Sequence, residues 1–195
     1  MEIISLKLAA AEAERSVKKI MKDVLSEIKP EEALVILRYL AKSDSNIKEK
    51  ILSIAEDIVK DVDVEAICDD VFFVLDGIDV HELWNRAGQT SDGYASPEEM
   101  AFEMIEEELE PFNQDVIRLC ELNLSEESKL FCMGVLKGIY KYDQESQSEF
   151  KDWAVDVPGE CFGYLLDEWK KRCKNEEDIR EMDIFLEKGC SGWAK

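Results

Sequence analysis

The stretch Asp76–Phe112 reads DGIDVHELWNRAGQTSDGYASPEEMAFEMIEEELEPF, and its helix-capping and turn residues indicate how the chain folds. Asp79 is placed to cap one helix. The run SPEE that begins at Ser96 is a strong start for a second helix, with a cap, a first-position proline and a glutamate at the third position. Between them, the connector 89–95 contains the turn signal Asp92-Gly93. The stretch therefore predicts two well-capped helices joined by a short polar loop.

The rest of the chain continues this pattern of capped segments whose apolar residues recur at three- and four-residue spacing. Only nine glycines and four prolines interrupt it, which favours long helices. The predicted helices cover Ala13–Ile28, Pro30–Ala41, Ser45–Ile58, Val64–Gly77, Asp79–Gly88, Ser96–Glu110, Val116–Leu124, Ser125–Tyr140, Phe150–Val155, Pro158–Cys173 and Asn175–Gly189. We predict an all-α single domain over 1–195, with about ten helices in antiparallel pairs that form a HEAT-like helical array or an irregular bundle. The best candidate for an internal boundary is 89–96.

Composition restricts the class of protein and of partner. The chain has 195 residues, of which 46% are hydrophobic and 35% charged, as in a charge-rich globular protein. Phosphate backbones and anionic membranes would repel its formal net charge of −21. We therefore expect no direct nucleic-acid binding and no membrane association. A basic protein is the partner that this charge would attract.

The N-terminus and the cysteines favour a cytoplasmic protein. The N-terminal MEIISLKLAAAEAE has an early acid and no long apolar core, so it does not resemble a secretory signal. None of the cysteines forms a CxxC pair, and structural zinc sites need such tight spacing. We expect reduced, buried cysteines, no metal and no cofactor. The cysteines are Cys68, Cys120, Cys132, Cys161, Cys173 and Cys190.

Glutamates concentrate on one predicted helix. Residues 77–115 contain 11 acids and one base, Arg86. The functional hypothesis is a surface that attracts a basic partner electrostatically, or a divalent-cation site. The structural alternative is the solvated face of an amphipathic helix whose other side, Ala101, Ile105 and Leu109, is buried. A di-iron centre needs more than the one histidine present, and no window has the calcium-loop pattern. The glutamates that share the face are Glu99, Glu103, Glu106 and Glu110, broadened by Glu107 and Glu108.

Three further features have structural alternatives. His81 is the only histidine, and we expect it to face solvent rather than to act as a base. Two GxxxG patterns, Gly134/Gly138 and Gly159/Gly163, predict close helix–helix approach inside the fold. Aromatic residues are dense in the C-terminal half, where they would form a core or line a groove. They are Tyr140, Tyr142, Phe150, Trp153, Phe162, Tyr164 and Trp169.

A family resemblance is carried by LWNRAG, from Leu83 to Gly88, followed by Gly93-Tyr94, Pro97, Glu99 and Ala101. This pattern resembles a family of uncharacterised prokaryotic all-helical proteins. The later segments GVLKGIYKY and EFKDWAVDVPGE are similar to the same family, so the resemblance covers about residues 70–170. It implies an all-helical fold, but it carries over no activity and no catalytic residue. The connectivity also resembles HEAT-type helical arrays.

These features favour a non-enzymatic, cytosolic interaction or scaffold module that presents an acidic helical face to a basic partner. One alternative is an enzyme of unknown chemistry with its pocket at the 77–112 loop, and another is a structural subunit of a homo-oligomer. The 77–112 loop either forms the functional site or is a structural plug, a segment that only joins the two helical halves. We expect the structural plug. The predicted partner-binding residues are Glu99, Glu103, Glu106, Glu107, Glu110, Trp84, Arg86 and Tyr94. No catalytic residue is assigned, and the enzyme alternative would use His81, Arg86, Asp92, Tyr94 and Glu99.

Overall fold

The computed structural model describes residues 26–90 and 93–193. The chain divides into two compact units, Met1–Ile58 and Val59–Lys195. The predicted single domain over 1–195 stays a prediction, and the proposed internal boundary at 89–96 falls within the second unit. Most of the predicted helix Ala13–Ile28 lies outside the described residues.

The described residues are predominantly helical, which confirms the all-α prediction. They contain eight α-helices, one 3₁₀ helix and one two-stranded hairpin. The helices are α1 (Pro30–Ser43), α2 (Ser45–Lys60), α3 (Val64–Asp76), α4 (Val80–Arg86), α5 (Pro97–Glu121), α6 (Ser125–Glu145), α7 (Val157–Arg172) and α8 (Glu176–Gly189), with the 3₁₀ helix at Glu149–Trp153. The strands are β1 (Gly88–Thr90) and β2 (Gly93–Ala95).

Helix α1 and most of α2 belong to the first unit. The described side chains of these two helices include no buried one. The Asp44 carboxylate accepts from the backbone N–H of Asn46 at 2.7 Å and of Ile47 at 3.4 Å at the start of α2. Aspartate is a strong helix cap because its oxygen satisfies donors that the first turn leaves unpaired.

In the second unit, α6 is the central helix and contacts α3, α5, α7 and α8. Its buried residues surround the helix axis, as expected for a helix enclosed by others. The finer arrangement, a HEAT-like array or an irregular bundle of about ten helices, stays a prediction. The buried residues of α6 include Cys132, Met133, Val135, Leu136, Ile139 and Tyr142.

Two glycines let α6 approach α3 closely, as the first GxxxG pattern predicted. A Cβ placed on Gly134 would lie 2.7 Å from the Ile67 Cβ. One placed on Gly138 would lie 2.6 Å from the Val71 Cβ and 2.8 Å from the Cys68 carbonyl oxygen. The second pattern is different, because Gly163 has nothing within 4 Å of its Cβ position and is exposed. The prediction of close approach at Gly163 is therefore wrong.

The loop between α4 and α5 corrects the expectation that every element is helical. It forms an antiparallel hairpin in which Gly88 faces Ala95 and Gln89 faces Tyr94. Gly88 and Gly93 have φ of 110° and 140°, backbone conformations that favour glycine. Three residues per strand give too short an alternation to predict a strand from the sequence.

Helix α5 is longer than predicted, because it continues through Pro111 to Glu121. The sequence placed a helix end or kink at this proline and a separate helix over Val116–Leu124. Apolar positions on both sides of the proline are buried on the same helix, and this packing outweighs the hydrogen bond that proline removes. They are Ala101, Met104, Ile105 and Leu109 before it and Val116 and Leu119 after it.

A buried lysine joins α6 to α8. Lys129 and Asp178 are only 3% and 5% exposed, and the Lys129 Nζ donates to the Asp178 carboxylate at 3.0 Å. Nζ also donates to Glu126 at 2.7 Å and to Glu181. The other Asp178 oxygen accepts from the Asn175 side-chain amide at 2.9 Å. Buried charges are stable only when they are paired and hydrogen-bonded in this way.

Candidate functional site

A concave, acidic surface forms where the hairpin, α5 and α7 meet. We call it the acidic groove. It encloses about 770 Å³, a size that suits a side chain or a short peptide segment. It is lined by Gly93, Tyr94, Ala95, Glu98, Glu99, Met100, Phe102, Glu103, Glu106, Val157 and Glu160.

The start of α5 fixes one wall of the groove. The Ser96 hydroxyl accepts from the Glu99 N–H at 3.2 Å, and the Glu99 carboxylate accepts from the Ser96 N–H at 2.9 Å. This reciprocal pair is the predicted capping box, and it holds the first turn in place. Ala101, Ile105 and Leu109 are buried as predicted, so the glutamates on the other face point away from the core.

Among the described residues, no base neutralises the charge of the groove. Five glutamates line it, and the described part of its lining contains no basic residue. Glu99 is used in the capping box, but no described residue forms an ion pair or a hydrogen bond with the carboxylates of the other four. Carboxylates of like charge in one cavity repel each other, and a bound cation would relieve that repulsion. The four are Glu98, Glu103, Glu106 and Glu160.

A smaller cavity of about 290 Å³ continues along the same face of α5. Glu106 lines both cavities, and Glu107 and Glu110 line only the smaller one. Asn113 also lines this cavity, and its Oδ1 is buried and accepts no hydrogen bond from the described residues. The predicted acidic face therefore borders two adjoining cavities.

Arg86 does not enter the groove. Its guanidinium donates to the Glu82 carboxylate at 2.7 Å and to the Glu107 carboxylate at 2.6 Å, which ties α4 to α5. The hydrogen bonds from Glu107 and Glu82 raise the Arg86 pKa, so this arginine stays charged. The enzyme alternative needed Arg86, Tyr94 and Glu99 to converge, and only the last two line the same cavity.

Trp84 and Tyr94, the two aromatic residues predicted around the loop, have different roles. Trp84 packs edge-on against Trp153, with ring centroids 4.8 Å apart. Tyr94 is 70% exposed and lines the groove. Trp84 and Arg86 of α4 thus make structural contacts, whereas Tyr94 of β2 lies at the groove. Asp92 lies outside the described residues, and His81 is exposed on α4.

Seven residues that line the groove were not among the predicted site residues: Gly93, Ala95, Glu98, Met100, Phe102, Val157 and Glu160. Glu98 and Phe102 lie in the predicted helix, next to the glutamates that were singled out. Val157 and Glu160 come from α7, more than 50 residues further along the chain. No local pattern could place them here, because their position depends on how α7 packs against α5.

The cysteines and the other acidic cluster supply no obvious reactive group. Four cysteines are buried, as predicted, but Cys120 and Cys173 are only partly buried. Burial raises the pKa of Cys161, which lines the smaller cavity, to about 11, so its thiol is protonated at neutral pH. A second group of close carboxylates, Glu126, Asp178 and Glu181, surrounds the Lys129 ammonium, which already supplies the cation.

Comparisons with protein-family models, with curated proteins and with solved structures find no match to this chain. The resemblance to prokaryotic all-helical proteins therefore stays a prediction. Within the described ranges, no helix has the length and apolarity that crossing a bilayer requires.

Proposed function

We propose that this protein is a non-enzymatic interaction module whose acidic groove receives a basic segment of a partner protein. The observation that carries the proposal is a set of four glutamates around one cavity, Glu98, Glu103, Glu106 and Glu160, with which no described residue forms an ion pair. They come from two helices that the core holds in place, so the site is formed before the partner binds. A preformed site loses little conformational entropy on binding.

The aromatic residues of the groove favour arginine over lysine as the side chain that enters it. Tyr94 and Phe102 supply π-faces beside the carboxylates. A guanidinium stacks on aromatic rings and donates in a planar fork, whereas an ammonium is a compact, strongly hydrated charge. The smaller cavity, lined by Glu106, Glu107 and Glu110, offers further carboxylates for donors of the same segment. An arginine-rich segment is thus the ligand that we propose.

We place this function in the cytoplasm, on a scaffold of antiparallel helix pairs that could extend as a HEAT-like array. All six cysteines are free thiols, which is the usual state in a reducing compartment. The net charge of −21 favours solubility and attracts basic proteins at long range. Fractionation of the source cells, with the protein detected by antibody, would test the location. Recovery outside the cytoplasm would contradict it.

Neutralising two groove glutamates should weaken binding of an arginine-rich peptide about tenfold, which corresponds to about 1.4 kcal/mol. The variant is Glu103→Gln/Glu106→Gln, measured by isothermal titration calorimetry at low salt. Raising the salt to about 1 M should remove most of the wild-type affinity, because the Debye length then falls to about 3 Å. A lysine peptide of equal length should bind more weakly than the arginine peptide.

The matched control is Glu121→Gln/Glu187→Gln, which makes the same charge change at exposed positions outside the groove. Glu121 lies 18 residues beyond Glu103 on α5, about 27 Å along the helix axis. The control should bind nearly as well as the wild type. Equal losses in both variants would show that net charge alone attracts the peptide, and the groove would then have no specific role.

A further inference from the structure

The first unit carries the largest concentration of exposed apolar side chains in the described residues. Helices α1 and α2 contribute ten of the 17 large hydrophobic residues that are exposed. Exposed apolar patches of this kind mark interaction surfaces. The ten are Leu34, Val35, Ile36, Leu37, Tyr39, Leu40, Ile47, Leu52, Ile54 and Ile58.

The charge of this part of the chain differs from that of the rest. Residues 1–58 contain ten bases and 11 acids, whereas residues 59–195 contain 14 bases and 34 acids. The second units of two copies would therefore repel each other strongly. The first unit is close to neutral, so it can meet another copy without that repulsion.

Within α1, the charges are arranged for antiparallel self-pairing. Glu31 and Glu32 lie in the first turn, and Arg38 and Lys42 lie in the second half of the helix. Spacings of seven and 11 residues place Arg38 and Lys42 on the same face as Glu31. If two copies of α1 pack antiparallel, the acids of one copy lie opposite the bases of the other. A parallel pair would instead place acids against acids.

Helix α2 carries one pair of charges in the opposite order to α1, although its last turn also contains Lys60. Lys50 lies near its start and Asp57 near its end, seven residues apart and therefore on one face. Ile47, Ile54 and Ile58 form an adjacent apolar stripe at helical spacing. An antiparallel pair of α2 helices would join the two stripes and place Lys50 of each copy near Asp57 of the other.

We propose that α1 and α2 are a self-association surface, on which two copies of this chain pack with antiparallel helices about a two-fold axis. An isologous contact of this kind needs a surface that is complementary to itself. Each helix carries an acid and a base seven residues apart on one face, so an antiparallel copy places opposite charges together. The apolar side chains contribute the burial, and the charges set the orientation. This surface shares no residue with the acidic groove, and the proposal is independent of the function proposed for the groove.

Sedimentation equilibrium on the full chain tests the proposal. At about 100 μM, well above a dissociation constant of about 1 μM, the wild type should have twice the monomer mass of 22.4 kDa. The variants Glu31→Lys/Glu32→Lys and Arg38→Glu/Lys42→Glu should each sediment as monomers, because each places like charges together across the antiparallel pair. An equimolar mixture of the two variants should recover the double mass, because each now complements the other.

The control is Glu176→Lys/Glu177→Lys, which makes the same change at two exposed acids in the first turn of α8 and should leave the mass doubled. Far-UV circular dichroism checks that the variants retain their helices, since Glu32 also accepts from the Lys29 N–H. A monomeric wild type would overturn the proposal, and it would indicate that another segment or a different protein covers these helices. Charge variants that remain dimeric, or a mixture that stays monomeric, would overturn it as well.

Discussion

Replacing Gly138 by alanine is expected to destabilise the protein by about 3 kcal/mol. The added Cβ would lie 2.6 Å from the Val71 Cβ and 2.8 Å from the Cys68 carbonyl oxygen. Real Cβ atoms do not approach so closely, and the Cys68 oxygen belongs to the backbone of α3, so this helix would have to move. Alanine favours a helix interior over glycine by about 1 kcal/mol, which is too little to offset the overlap.

Gly163→Ala is the matched control for this substitution. Gly163 also lies inside a helix, but nothing is within 4 Å of its Cβ position. It should therefore stabilise the protein by about 0.5–1 kcal/mol through helix propensity alone. Urea unfolding followed by circular dichroism measures both changes. A Gly138→Ala variant as stable as the wild type would mean that α3 and α6 are not packed as described.

Replacing Lys129 by methionine is expected to cost about 3–5 kcal/mol. The substitution leaves the Asp178 carboxylate, which is 5% exposed, without its cation in a site poorly reached by water. Burial by itself lowers the Lys129 pKa, but hydrogen bonds to Glu126, Glu181 and Asp178 outweigh it, so the pKa is raised. The stability that this raised pKa provides is fully present below the unfolded lysine pKa of about 10.4 and is lost only at higher pH.

Lys137→Met is the control for Lys129→Met. Lys137 donates to the Glu65 carboxylate at 2.6 Å, but its side chain is 31% exposed and that of Glu65 is 70% exposed. An exposed pair of this kind contributes less than about 1 kcal/mol. Urea unfolding at pH 7 and pH 9 should give the same large difference between the two variants. Equal, small losses would show that the Lys129 cluster is more hydrated than its burial indicates.

Local patterns in the sequence predicted much of the fold. The structure contains the predicted capping box of Ser96 and Glu99, the Asp79 helix cap and the close helix–helix approach at Gly138. Each of these features depends on residues close in sequence or on one helix face without side chains. The predicted length of α5 was wrong, because tertiary packing keeps the helix intact through Pro111. The hairpin was missed, because three residues per strand leave no readable alternation.

The candidate site could be predicted only in part. Periodicity placed Glu99, Glu103 and Glu106 on one face, and all three line the acidic groove. Glu160 could not be predicted, because it reaches the groove only through the packing of α7. The cluster around Lys129 was missed for the same reason, since its partner Asp178 is 49 residues away in the chain. Contacts of this range need the tertiary structure.

The most direct test of the proposed function is a titration of the isotope-labelled protein with an arginine-rich peptide, followed by the chemical shifts of its backbone amides. We predict that the largest changes occur at Tyr94, Phe102, Glu103 and Glu160, which lie on β2, α5 and α7 and all line the groove. The changes should disappear at about 1 M salt. Shifts concentrated elsewhere, or changes spread evenly over all acidic helices, would contradict the account.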